Sequence, residues 1–261
     1  MDLKIDSTIT LNNKTRMPRL GFGVYQIPDG PATIEAVSWA LKAGYRHIDT
    51  ARFYKNEESV GKAIRESAIP REKIWVTTKL FPIDFFHIEQ AFETSLKKLD
   101  LGYIDLYLVH FPIPGTIRKV WSKMEAIYKT GKARAIGVSN YNSQQLRDTL
   151  KIATVQPSVN QKRCSVFGYD RKTYELCQKE NIIFEAYSPL TRGKRLSDAE
   201  ITRIAEHYHK SNAQILLRWA LQKNMVIIPK SQHQKRIVEN ADIFDFVIAE
   251  TDMWSLDKLS S

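Results

Sequence analysis

Ile104-Asp-Leu-Tyr-Leu-Val109 is followed at once by His110. The run is short, rich in branched apolar residues and too brief for a globular helix, so it reads as a strand buried on both faces. Four more runs have the same character: Ile74-Trp-Val-Thr-Thr78, Ala133-Arg-Ala-Ile-Gly-Val138, Ile182-Ile-Phe-Glu-Ala186 and Met225-Val-Ile-Ile228. Helical patterns lie between them. Ile34, Val37 and Leu41 share one face; so do Phe92, Leu96 and Leu99, and Ile201, Ile204 and Tyr208. Strands alternating with helices predict a parallel sheet with crossover helices. No Pro/Gly/Ser-rich linker divides the chain, so residues 1–261 read as one domain. Residues 7–16 carry an Asn-Asn turn between strand formers, which predicts a small hairpin outside the main sheet.

His110 belongs to a second pattern. Polar residues stand at or just after the ends of the apolar runs: Asp49, Lys79, His110, Ser139-Asn140, Asn160-Gln161, Tyr187-Ser188 and Lys230-Ser231. Asp49, Lys79, His110 and Ser139 follow one another at intervals of 30, 31 and 29 positions, about one strand–helix unit each. An open sheet would spread such residues along a line. A closed parallel barrel brings all strand ends of one polarity to one face, where barrel enzymes keep their chemistry. The expected fold is therefore an α/β (β/α)8 TIM barrel with a short N-terminal β-hairpin.

Composition narrows the function. The chain has 261 residues, 43% hydrophobic and 26% charged, as expected of a globular enzyme rather than a disordered chain. No apolar run approaches the ~18 residues of a membrane span, and the start lacks the pattern of a signal peptide. Only Cys164 and Cys177 are present, too few for a disulfide framework, so a reducing cytoplasm is expected. The net charge of +10 raises the possibility of nucleic acid, yet no basic run of five or more occurs. An anionic nucleotide partner accounts for the charge as well. His207 and His209 point to different sides of the expected helix and no Cys/His cluster has zinc spacing, so no metal is expected.

Asp49, Tyr54, Lys79 and His110 make a chemically coherent set. Tyrosine can donate a proton at neutral pH without ionising beforehand. A nearby ammonium should make that proton more available, a carboxylate should hold the ammonium in place, and a histidine can orient a carbonyl. Singly, each has a plainer explanation: a loop cap, a solvated cation, a core histidine, a packed ring. Their coincidence on one face favours reduction of a carbonyl.

The chain resembles the aldo-keto reductase family over nearly its whole length. Gly44-Tyr-Arg-His-Ile-Asp-Thr-Ala51, with Tyr54 and Asn56-Glu57, resembles the family's first signature. Leu99 to Pro112, Gly131 to Asn140, Ala186-Tyr-Ser-Pro-Leu190, Leu217 to Gln222 and Ile228-Pro-Lys-Ser231 match further stretches in order and spacing. The resemblance implies a (β/α)8 fold, NADPH as hydride donor and aldehydes or ketones as substrates. It assigns a catalytic tetrad to Asp49, Tyr54, Lys79 and His110. It implies that Ser139, Asn140 and Gln161 hold the nicotinamide carboxamide, that Tyr187 stacks on the ring, and that Ser188 and Leu190 lie along the pyrophosphate. Lys230, Ser231 and Arg236 would meet the 2′-phosphate, and Glu239 and Asn240 the adenine. No Gly-x-Gly-x-x-Gly occurs; Gly21-Phe-Gly23 reads as tight packing in the first strand.

Departures fall around the substrate. Tyr25, Phe81 and Phe111 stand where the family often has tryptophan, and Lys162-Arg-Cys-Ser-Val166 replaces its usual continuation after the glutamine. With Tyr54 and His110, these rings should wall an open substrate site that favours aromatic or apolar aldehydes over sugars. The family is often monomeric, so a monomer is expected. The alternative is a non-catalytic NADPH-binding regulatory protein on the same fold.

Overall fold

The computed structural model describes residues 3–260. Strands β1 (Thr8–Thr10) and β2 (Arg16–Pro18) pair antiparallel. The remaining strands are β3 (Phe22–Gly23), β4 (His47–Asp49), β5 (Trp75–Leu80), β6 (Ile104–Val109), β7 (Ala133–Ser139), β8 (Val159–Arg163), β9 (Ile183–Tyr187) and β10 (Val226–Ile228). All eight are parallel and each pairs with its neighbour in chain order. A parallel bridge between Leu20 and Ile227 joins the two ends of the sheet. Gly21 N donates to Ile227 O at 2.8 Å, Ile227 N to Arg19 O at 3.0 Å and Gly23 N to Pro229 O at 3.0 Å. The result is the expected (β/α)8 barrel with its N-terminal hairpin.

Helices cover the outside: α1 (Pro31–Lys42), α2 (Glu57–Arg65), α3 (Ile88–Leu99), α4 (Ile117–Lys129), α5 (Ser143–Leu150), α6 (Arg171–Lys179), α7 (Ala199–His207), α8 (Asn212–Gln222), α9 (Gln234–Ala241) and α10 (Glu250–Lys258). Val37, Leu41, Phe92, Leu99, Ile201 and Ile204 are buried, with Ile34, Leu96 and Tyr208 packed at the margin. Helix α7 ends at His207, and His209 lies beyond it with φ 51°, so the two histidines do not share a helix. Among the described residues no cluster of three potential metal ligands occurs, and no helix is long and apolar enough to cross a membrane.

The hairpin has a definite job. Met17 and Leu11 pack with Trp75, Leu106, Leu108, Ala135, Val159 and Val226 inside the barrel. Asn12 and Asn13 donate to the carbonyls of Pro157 and Arg134, at the starts of β8 and β7. The hairpin therefore plugs the end where the strands begin, leaving the end where they finish open.

Two close approaches need glycine. A Cβ on Gly21 would lie 2.5 Å from His47 Nδ1, which bears out the tight-packing reading of the first strand. A Cβ on Gly61, in the middle of α2, would lie 1.9 Å from the carbonyl oxygen of Leu99. Alanine is the better helix former by about 0.5–1 kcal/mol, but overpacking of a fixed backbone costs about 1–3 kcal/mol. The steric effect decides the sign. Gly61→Ala should therefore destabilise the fold by a net ~1–2 kcal/mol in urea denaturation, and a stabilised variant would contradict this packing.

Candidate active site

The open end of the barrel holds a cleft of about 880 Å³. Its walls come from the end of every barrel strand except β5, with additions from α9 and the loop after β9. The reason is topological: parallel strands present all their C-terminal ends together.

At its floor lies a buried ion pair. Lys79, on β5, is completely buried, and its Nζ donates to Asp49 Oδ1 at 2.7 Å, Asp49 Oδ2 at 2.8 Å and Thr50 O at 2.8 Å. An ammonium has three protons, so these partners use them all, and Tyr54 Oη sits at the edge of reach at 3.5 Å. Tyr54 arrives on a 3₁₀ turn, Arg52–Tyr54, directly after β4, which is why Asp49 and Tyr54 stand together. His110 follows β6, with its ring edge-on to Tyr54 at 5.8 Å between centroids. The four residues singled out from the sequence thus form one cluster.

Their charge states follow from burial. Burial pushes the Tyr54 hydroxyl well above its ordinary value, aided by the charge of Asp49. This reverses the expected lowering by the ammonium: Lys79 is neutralised by a carboxylate that grips it with both oxygens. Burial raises the Asp49 carboxyl, while Lys79 and Gln161 oppose that rise. Burial, with the charge of Lys79, brings His110 down to about 3, so its ring is neutral near pH 7. The thiols of Cys164 and Cys177 are buried and pushed up to about 12, which makes them packing groups rather than nucleophiles.

Beside the ion pair lies a polar shelf. Ser139 ends β7 and pairs in register with Gln161 on β8. Asn140, at φ 64°, donates through Nδ2 to His110 O at 2.9 Å and Ser139 Oγ at 3.0 Å, and its Oδ1 accepts from Tyr187 Oη at 2.8 Å. Gln161 Nε2 donates to Asp49 Oδ2 at 2.7 Å and Glu185 Oε2 at 3.0 Å. Asp49, a carboxylate held by Lys79 and able only to accept, fixes that amide's orientation and leaves its carbonyl oxygen as the remaining polar atom. Further along the cleft come Tyr187, Ser188 and Leu190, then Lys230, Ser231, Arg236, Glu239 and Asn240. Among the described residues neither Lys230 nor Arg236 is ion-paired. Burial lowers the Lys230 pKa, as for a cation lacking an anion.

One end of the cleft is aromatic. Tyr25, Tyr54 and Phe111 line it, as does Phe53, 48% exposed, which the sequence reading passed over. Phe81 stands behind Phe53, stacked at 4.4 Å between centroids, and is not itself on the cleft wall. Phe53 directly precedes Tyr54 on the 3₁₀ turn, so its neighbourhood was the available signal. Arg192, with its guanidinium 6.0 Å from the Tyr25 ring centroid, was also missed. It lies in a loop where Ser188, Thr191, Arg192 and Gly193 all have positive φ, a conformation that sequence pattern does not announce.

The model of the aldo/keto reductase family matches residues 19–261. The glyoxal reductase of Bacillus subtilis (strain 168) is 43% identical over 262 residues, covering 100% of this chain and 95% of that protein. The methylglyoxal reductase DkgA of Yersinia pestis is 40% identical over 255 residues, covering 96% and 92%. The crystal structure of an aldo/keto reductase from Brucella melitensis superposes with a TM-score of 0.93 at 43% identity, covering 97% of this chain and 99% of that one. The chain belongs to the aldo/keto reductase family, oxidoreductases that act on carbonyl compounds.

A buried neutral histidine costs stability in acid. Between about 6.5 and 3, the unfolded chain binds a proton at His110 that the folded chain refuses. Stability contributed by this group is thus complete above pH 6.5 and falls as pH drops through that window, by up to about 1.4 kcal/mol per pH unit. His110→Gln should flatten the acid limb of stability against pH by about one proton in urea denaturation series. A limb as steep as the parent's would contradict the buried neutral state.

Proposed function

We propose that this protein reduces aldehydes and ketones to alcohols with NADPH, and that Tyr54 gives the proton to the substrate oxygen. The observation that carries this reading is the hydroxyl of Tyr54 set 3.5 Å from a buried ammonium whose own partner is a carboxylate, at the floor of a cleft. As the carbonyl oxygen becomes an alkoxide, Tyr54 releases its proton toward it. The raised pKa keeps that proton in place until negative charge develops. Lys79 then faces the phenolate left behind, a fixed cation that needs no rearrangement at the moment of transfer. Neutral His110 donates a hydrogen bond that aims the carbonyl.

NADPH, when bound, supplies the hydride. Ser139, Asn140 and Gln161 would hold its carboxamide, Gln161 through its carbonyl oxygen, and Tyr187 would lie under the ring. Ser188 and Leu190 would follow the pyrophosphate. Lys230, Ser231 and Arg236 would bind the 2′-phosphate, with Glu239 and Asn240 at the adenine. Two cations without a carboxylate partner at the far end of the cleft support an anionic ligand there. The complete tetrad disfavours a non-catalytic binding role. The walls Tyr25, Phe53 and Phe111 offer apolar contact and few hydrogen bonds, which suits aromatic or apolar aldehydes better than sugars. We read the enzyme as a monomer of the reducing cytoplasm, given its two buried free thiols.

Two experiments test this. Tyr54→Phe keeps the ring and removes the proton, so the rate of NADPH oxidation with a nitrobenzaldehyde should fall about 10²–10⁴-fold. A variant that turns over like the parent would exclude Tyr54 as donor. Separately, the parent should bind NADPH more tightly than NADH, and Arg236→Ala should weaken NADPH binding about 10- to 150-fold while leaving NADH nearly unaffected. Equal dissociation constants in a fluorescence titration would make Lys230 and Arg236 mere surface cations.

A further inference from the structure

Glu185 has no part in the chemistry above, yet it is completely buried within the barrel beneath the site. Among the described residues one hydrogen-bond donor reaches it: Gln161 Nε2, 3.0 Å from Oε2. Among the described residues Oε1 has no hydrogen-bond partner. The nearest titratable group is His47 on β4, its Nε2 3.7 Å from Oε1, and that nitrogen is already engaged with Thr77 Oγ1 at 3.0 Å. His47 is itself neutral, brought down to about 3 by burial and by Lys79. On one side β10 pairs Val226 with Glu185 and offers only Val226, Ile227 and Ile228; on the other, β8 offers Gln161. Across the barrel stand Asp49 and Lys79, and above them Tyr54. All three protons of Lys79 face other acceptors. A buried carboxylate with one donor and no cation of its own is a very costly arrangement, and a neutral carboxylic acid there costs far less.

We propose that Glu185 is a positioning residue that works in its protonated form, anchoring Gln161 against Asp49 and keeping a second negative charge away from the Lys79–Tyr54 pair. This rests on Tyr54 being the proton donor. Burial and the charge of Asp49 raise the Glu185 carboxyl to about 8. Above that pH its ionised form would place a charge beside Asp49 that raises Tyr54 further, a direction its effect on Tyr54 already has. Tyr54 then gives up its proton less readily, and reduction slows.

The test compares the parent with Glu185→Gln, which mimics the neutral acid, and Glu185→Leu, which has no anchor. In the parent, kcat/KM should fall about tenfold from pH 7 to pH 9, the loss expected when one group with a pKa of about 8 must stay protonated. In Glu185→Gln the ratio of the two rates should stay within about twofold of one, and Glu185→Leu should have the lower kcat of the two variants. An alkaline fall in Glu185→Gln that superposes on the parent's would overturn the proposal. An infrared titration of the parent supplies a readout independent of turnover and of Tyr54. A protonated carboxyl band should disappear between pH 7 and 9 and be missing from Glu185→Gln. Its absence from the parent would overturn the proposal even if neither variant folded. If instead Tyr54→Phe is fully active while the band titrates as expected, the proton-donor reading fails and the protonated Glu185 stands.

Discussion

A completely buried ammonium cannot be left to itself. Lys79 sits in the low-dielectric interior of a barrel, where an unpaired charge would be prohibitively costly. Much of the site can be read as the answer to that constraint. Asp49 supplies both carboxylate oxygens and the backbone of Thr50 a third acceptor. Asp49 in turn takes a hydrogen bond from Gln161, and Gln161 must turn its amide nitrogen toward two acids. The side chain that offers its carbonyl to the cleft does so because of a charge one strand system away. Tyr54 then stands on the cavity wall with its hydroxyl 3.5 Å from the ammonium.

The barrel makes such a chain of dependence possible by pairing in register. Asp49 lies beside Thr77, Ser139 beside Gln161, and Gln161 beside Glu185. Each step crosses one hydrogen-bonded strand pair, so side chains from distant parts of the sequence meet at nearly fixed separations. The hairpin plug at the opposite end keeps this interior dry from below. Polar groups between plug and cleft can therefore hold protonation states that water would not permit.

How much of this was legible beforehand depends on the kind of signal. Ile104–Val109 was readable to the residue, because a six-residue apolar run ending in a polar side chain has one sensible conformation in an α/β chain. Strand β3, two residues long, and β4, three, lack any comparable run and were visible only through the residues around them. Asp49, Lys79 and His110 were legible because their spacing repeats the strand–helix unit, and Tyr54 only because it stands on the turn just after Asp49. Phe53 and Arg192 were not, since each sits in a turn whose backbone angles rather than composition aim the side chain. The direction of the Tyr54 shift was misread for a different reason. Sequence shows that a cation is near, but not that both oxygens of a carboxylate have already claimed it.

The seam at Leu20 and Ile227 also governs how the chain is made. Synthesis begins at the N-terminus, so β3 exists long before its last neighbour. Until Ile227 has emerged, both β3 and β9 are open edges with unsatisfied backbone groups, the kind of edge on which chains aggregate. Closure joins residues near opposite ends of the sequence, a contact of very high order that folds slowly. The polar network around Lys79 is complete only once β9 has joined, so the buried charge is assembled late, shortly before the sheet is sealed. For this molecule the vulnerable interval is the time on the ribosome, and loss of β10 by a premature stop would leave not a smaller enzyme but an open, adhesive sheet.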